Sequence, residues 1–206
     1  MKRIYTVFIC LFLLNTTISF ADSPITSTPI SEAYKDIPMV NTAAASGILN
    51  DEIAAFLLNE DNPLDQKAAV INALSWSFDG KRNAILFKEH LCKKYKTTIK
   101  YLKIDIISGD EQLCLGYLTI MDDYFFPDDA ITILEKAVDK NPMSFTCNII
   151  FAMAKAQKVM NSISAWCKVW KLAEAVETNK DLKRDMREDA IKIIMDYMIL
   201  YKGSCK

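Results

Sequence analysis

Between Asn50 and Gly203 the sequence keeps returning to one pattern: a capping residue, apolar residues three and four apart, then a stop. That pattern constrains the fold more than any other feature, because it matches the 3.6-residue period of a helix and not the two-residue period of a strand. Ser108-Gly109-Asp110-Glu111 is a capping box, followed by Leu113, Tyr117, Ile120 and Met121. Asn50 can cap a helix carrying Ile53, Phe56 and Leu57. Asn62 and Pro63 suit the N-cap and first positions of a helix running through Leu64, Ala68, Ile71, Leu74 and Phe78 to Gly80. Further helices are predicted over 81–96, from Pro127-Asp128-Asp129, from Asn141-Pro142, from Ser162 and from Asp181, with Gly203 past the last.

One stretch reads differently. Thr97 to Ile107 is rich in β-branched residues and partly alternates. No second strand-like run exists to pair with it, so a short helix is expected there. The chain is therefore expected to be all-α, with about eight helices in a helical-hairpin array (α-solenoid-like) or an irregular bundle. Gly116 falls inside a helix, where glycine costs about 1 kcal/mol against alanine, and a close helix crossing would account for it.

Helix starts near 109, 127, 142 and 162 make two hairpins offset by 33 residues. Ala130, Leu134, Ala137 and Pro142 follow a small, bulky, alanine, proline spacing. That stretch resembles the second helix of a tetratricopeptide repeat. The resemblance covers Asp128 to Pro142 and implies a stacked array with a concave face for a peptide or protein. The preceding helix departs from the family's pattern, because bulky Leu118 stands where a small residue is expected.

The first residues set the expected compartment. Lys2 and Arg3 precede an apolar core from Tyr5 to Leu14, and Ser19 and Ala21 supply small residues for cleavage. Residues 1–21 are expected to be a signal peptide, with the chain periplasmic or secreted. The apolar run is too short to span a bilayer, which needs roughly 20 residues as helix. No later segment is apolar enough to span one. Residues 22–45, with Pro24, Pro29 and Pro38, are expected to be extended or poorly ordered, and 46–206 to form a single helical domain.

Cleavage would leave 23 basic against 26 acidic residues, a net charge of −3. So mild a balance gives no case for nucleic acid. It would also leave five cysteines, Cys92, Cys114, Cys147, Cys167 and Cys205. An oxidising compartment permits disulfides, but an odd count leaves the connectivity open. Cys114, Cys147 and Cys167 also read well as small core residues on helix faces.

Chemistry-bearing motifs are sparse. His90 is the only histidine, which excludes multi-histidine metal sites, and it lies two residues from Cys92, on a different helix face. Phosphate-loop, dinucleotide, nucleophile-elbow and zincin motifs do not occur. Asp122, Asp123, Asp128 and Asp129 flank an aromatic turn. They suit helix-start electrostatics, and calcium or glycoside chemistry are the sharper readings. Tyr124, Phe125 and Phe126 either staple two helices or form a binding spot. Lys93, Lys94 and Lys96, interleaved with Tyr95, form a basic patch that could meet an anionic partner. Trp166 and Trp170 share a helix face, as core or as a ligand platform.

These readings favour an exported helical protein without catalytic activity or cofactor, whose partner is another protein. Immunity or inhibitor proteins and envelope scaffolds are the concrete forms. The alternatives are a cell-wall-directed hydrolase using carboxylates near Asp122–Asp129, or a small-molecule carrier lined by Phe145, Trp166 and Trp170.

Overall fold

The computed structural model describes residues 23–160 and 162–205. The expected leader, 1–21, lies outside them. Among the described residues there are nine α-helices and no strand: α1 Pro38–Ser46, α2 Asp51–Leu58, α3 Leu64–Ala73, α4 Asn83–Lys94, α5 Gly109–Asp122, α6 Asp128–Lys140, α7 Phe145–Val159, α8 Trp166–Glu177 and α9 Glu188–Met198. Four 3-10 turns supplement them, at Ile30–Tyr34, Ile104–Ile106, Ile163–Ala165 and Ile199–Ser204. The all-α expectation holds. No described helix is long and apolar enough to cross a membrane.

The caps act as their chemistry dictates. Asn50 accepts from Ile53 N at 2.9 Å, and the Ser108–Glu111 box is complete. Helices α5 to α8 pack each on the next, as a hairpin array would. The α5–α6 contact is tight at Gly116. A Cβ placed on Gly116 would lie 2.7 Å from Leu134 Cγ, so only glycine allows α6 this near. Ala130, Leu134 and Ala137, which carried the repeat resemblance, are all buried in the core.

Closure of the chain on itself was not expected. Residues 23–45, the described part of the segment expected to be extended or poorly ordered, form a packed strap instead. Ile25, Ile30 and Tyr34 are fully buried, and α1 begins at Pro38. The prolines break longer helices, but apolar residues between them still find the core. Ser23 Oγ donates to Gln157 Oε1 on α7. Asn72 of α3 accepts from Ser31 N at 3.0 Å and donates to Thr28 O at 3.1 Å. Tyr34 OH accepts from Arg187 N at 3.1 Å, and the Arg187 guanidinium lies 4.5 Å from the Tyr34 ring centre. The strap thus joins the start of α9 to the N-terminal half.

Several boundaries moved for identifiable reasons. Asn62 does not cap α3; its Nδ2 donates to Phe56 O and closes the α2–α3 loop, leaving Pro63 at the cap. Helix α3 stops at Ala73 because Ser75 takes a positive φ of 61°, so Phe78 leaves the helix for the surface. The last helix starts at Glu188 and not Asp181. Residues 183–185 are drawn instead onto the start of α7, where Lys183 N donates to Met143 O at 2.7 Å and Thr146 N donates to Asp185 Oδ1 at 2.8 Å. Residues 97–107 hold no short α-helix, only turns and the 3-10 turn at Ile104–Ile106.

Cys167 and Cys205 form a disulfide across 38 residues, tying α8 to the C-terminal turn. That corrects Cys167 as a core thiol. Cys92, Cys114 and Cys147 are free and buried. Burial pushes the Cys114 thiol far up and the Cys147 thiol up to about 12, so neither is a ready nucleophile.

Candidate functional site

The turn after α3 and the turn after α5 meet at one end of the molecule. Gly80 makes that approach possible: it has φ 78°, and an added Cβ would lie 3.3 Å from Asp122 O. Lys81 N donates to the same carbonyl at 3.0 Å. The junction carries the aromatic turn. Tyr124 is 4% exposed and meets Trp76 edge-on at 5.3 Å. Phe125 stacks on Tyr124 at 4.3 Å and meets Phe78 edge-on at 5.7 Å. Phe126 is 78% exposed and Phe78 72%. Tyr124 is therefore the staple, while Phe125 and Phe126 face out. Phe78, Trp76 and Ile48 were not singled out from sequence, because Phe78 matched the α3 period and Ile48 belonged to no motif.

Two cavities open beside these rings and share Ser77 and Gly80. The larger, about 550 Å³, is lined by Gly47, Ile48, Lys81, Arg82, Asn83 and Leu86 among others. Lys81 Nζ donates to Gly47 O at 2.8 Å and to Leu74 O, which fixes the rim between α1 and α4. Burial lowers the Lys81 pKa, partly offset by the Asp122 charge. The smaller cavity, about 240 Å³, is lined by Phe78, Asp79, Asp122, Asp123, Tyr124, Phe125 and Phe126 with Ser77 and Gly80.

The four aspartates do not act as a set. Asp122 is buried at the end of α5 and its Oδ2 accepts from Ala84 N at 2.7 Å, in effect capping α4. Burial pushes its pKa up, against the hydrogen bonds from Ala84 and Asn83 and the charge of Lys81. Asp123 Oδ1 accepts from Phe125 N at 3.2 Å. Asp128 pairs with Lys158 of α7. Asp129 is exposed in the first turn of α6. Among the described residues no group of three or more histidines, cysteines, aspartates or glutamates could hold a metal ion.

The basic patch is partly committed. Lys94 Nζ lies 2.9 Å from Glu111 Oε1 and 3.4 Å from Glu60 Oε1, while Tyr95 OH donates to Glu111 Oε2 at 2.7 Å. Burial opposes ionisation of Glu111, but the bonds from Lys94, Tyr95 and Ser108 N outweigh it and hold the carboxyl below the usual glutamate range. Lys93 and Lys96 remain at the surface. His90 Nε2 lies 3.4 Å from Asp51 Oδ1. Trp170 is buried under Lys202, and Trp166 Nε1 donates to Met160 O at 3.1 Å. Phe145 is fully buried beneath Arg184.

Comparison with known proteins returned no match: no protein-family model, no curated protein and no solved structure. What the fold and site define is a class, an all-α chain of packed hairpins with an aromatic, doubly hollowed end.

Proposed function

We propose that the protein is exported and acts, without catalysis of its own, by binding another protein through the Ile48–Phe78–Phe125–Phe126 end. The observation that carries this reading is the exposure of three phenylalanines in one patch, with Phe78 and Phe125 in ring contact and all three lining a cavity of about 240 Å³. Contiguous exposed aromatics rimmed by polar residues mark interaction surfaces, and aromatic anchors seated beside pockets supply most of the binding energy where proteins meet. Lys81 and Arg82 at the rim of the larger cavity suit a partner surface that is acidic around an apolar anchor. The surface lysines Lys93 and Lys96 lie on α4 and just past its end and add a second contact of the same sign. The Cys167–Cys205 disulfide suits an oxidising compartment, which supports export. An immunity or inhibitor protein, or an envelope scaffold, would use such a surface.

The test is site-specific photocrosslinking in the native host. A benzoylphenylalanine at Phe126 should give one discrete crosslinked product, and the same probe at Lys192 on α9 should not. Identical patterns from the two positions would remove the reading. N-terminal sequencing of the purified protein should begin at Asp22; a chain beginning at Met1 would remove the export.

A further inference from the structure

A buried amide in the larger cavity has an open hydrogen-bond position. Among the described residues Ile48, Ser77, Lys81, Arg82, Asn83 and Leu86 line that cavity with two glycines, and no aspartate or glutamate does. Asn83 is 3% exposed. Its Oδ1 accepts from Leu49 N at 2.9 Å. A backbone N–H can only donate, so this bond fixes which way the amide is turned and leaves Nδ2 as the free end. Nδ2 makes no hydrogen bond among the described residues, and it is not sealed from solvent as the unpartnered oxygens of Asp122 and Tyr124 are. Asn83 is otherwise enclosed, so its open surface lies on the cavity it lines. Arg82, next along the chain, is exposed and makes no hydrogen bond or ion pair among the described residues. Lys81 spends two donors on Gly47 O and Leu74 O, and its charge is set against that of Asp122. The cavity thus offers an oriented amide donor and one unpaired guanidinium beside apolar Ile48 and Leu86.

We propose that the larger cavity binds a small monocarboxylic acid, a carboxylate on an unbranched apolar stem. One carboxylate oxygen accepts from Asn83 Nδ2, and the group pairs with the Arg82 guanidinium in a charge-assisted contact. The stem lies on Ile48 and Leu86. A single unpaired guanidinium matches one negative charge, which favours a carboxylate over a phosphate dianion. A cation of the same shape offers Nδ2 no acceptor and meets Arg82 with like charge, so it is rejected. A volume of about 550 Å³ is that of a pocket for a whole small ligand, and not for one side chain of a partner. The site stands on Asn83 and Arg82 and does not depend on the partner reading above.

The experiment is calorimetric titration of the purified full chain with hexanoate, 1-hexanol and hexylammonium. Hexanoate should bind about tenfold more tightly than hexanol, and hexylammonium most weakly of the three. Butyrate, two methylenes shorter, should bind about tenfold more weakly than hexanoate. Arg82→Ala removes an exposed side chain and should weaken hexanoate about tenfold while leaving hexanol within about twofold. Asn83→Asp keeps an oxygen for Leu49 N and turns a second oxygen toward the cavity in place of the donor, and should weaken hexanoate by about tenfold or more. Equal affinity for hexanoate and hexanol, no binding of either, or an Arg82→Ala effect on hexanoate below about twofold would overturn the site. If Asn83→Asp does not fold by circular dichroism, Arg82→Ala decides alone. An acetylated pentapeptide ending in leucine tests the other source of the carboxylate. Weaker binding than hexanoate supports a free acid; tighter binding, lost when the peptide ends in an amide, would move the carboxylate to a partner's C-terminus and overturn it. Loss of the Phe126 crosslink with hexanoate binding intact would remove the partner reading and leave this site standing.

Discussion

Gly116 of α5 and Leu134 of α6 touch so closely that a Cβ on the first would lie 2.7 Å from Cγ of the second and 3.2 Å from its backbone nitrogen. The nitrogen cannot move without moving α6. Gly116→Ala should therefore destabilise by about 1–2 kcal/mol, because overpacking outweighs the helix-propensity gain of about 1 kcal/mol. Thermal unfolding should fall by about 2–8 °C in a chain of this size. Leu134→Ala alone should cost about 2–5 kcal/mol, and the double variant less than the sum of the two.

The α5–α6 crossing was legible in the sequence because glycine inside a strong helical period has few other uses. Capping boxes and helix periods were legible for the same reason: both are set by residues within one turn of each other. The strap was not. Pro24, Pro29 and Pro38 announce broken helix, but the partners that order the segment, Asn72, Gln157 and Arg187, lie between 41 and 154 residues away. The start of α9 was misplaced on similar grounds, since Lys183 and Asp185 are bound by residues near the start of α7. The binding end was half legible. Tyr124 to Phe126 stood out as a run, whereas Phe78 was hidden by its agreement with the α3 period until Ser75 turned the chain.

Glu111 gives a prediction in pH. Its folded pKa lies below the ordinary glutamate value, so its ionised form stabilises the native state. That contribution is present above the unfolded pKa of about 4.5 and is lost as pH falls through the lower folded value. Glu111→Gln should cost about 2 kcal/mol at pH 7, as expected for a buried charged hydrogen-bond acceptor. The difference between the two proteins should shrink steadily below about pH 4.5 in urea unfolding curves. A constant difference from pH 7 to pH 3 would show that packing, and not charge, is what Glu111 supplies.

The thiols should sort into two classes. With the disulfide intact, a maleimide should label none of Cys92, Cys114 and Cys147 in the native protein and all three after denaturation. Reduction, or Cys205→Ser, should lower stability by about 2–4 kcal/mol, given a closed loop of 38 residues. The loss should be concentrated in α8 and the turn after α9, which hydrogen exchange can localise.

The strap should behave as part of the core and not as a tail. Asn72 is its central bond: Oδ1 accepts from Ser31 N, while Nδ2 donates to Thr28 O and lies 3.0 Å from Tyr117 OH. Asn72→Ala removes one side chain and takes a partner at once from Ser31 N, Thr28 O and the buried Tyr117 OH, so a loss of about 2–4 kcal/mol is expected. Tyr34→Phe tests the other end. Its hydroxyl donates to Asp65 Oδ2 at 2.8 Å and accepts from Arg187 N at 3.1 Å, and the ring keeps its burial in the variant. A loss of about 1–2 kcal/mol is expected, together with faster hydrogen exchange at the start of α9, where Arg187 N loses its acceptor. If the strap were only draped on the surface, both variants would unfold at the same urea concentration as the parent, and limited proteolysis would clip residues 23–37 before any site in the helices. The expected order is the reverse: the loop between α8 and α9, exposed at Asn179–Asp181, is cut first, and the strap stays bound until the whole chain unfolds.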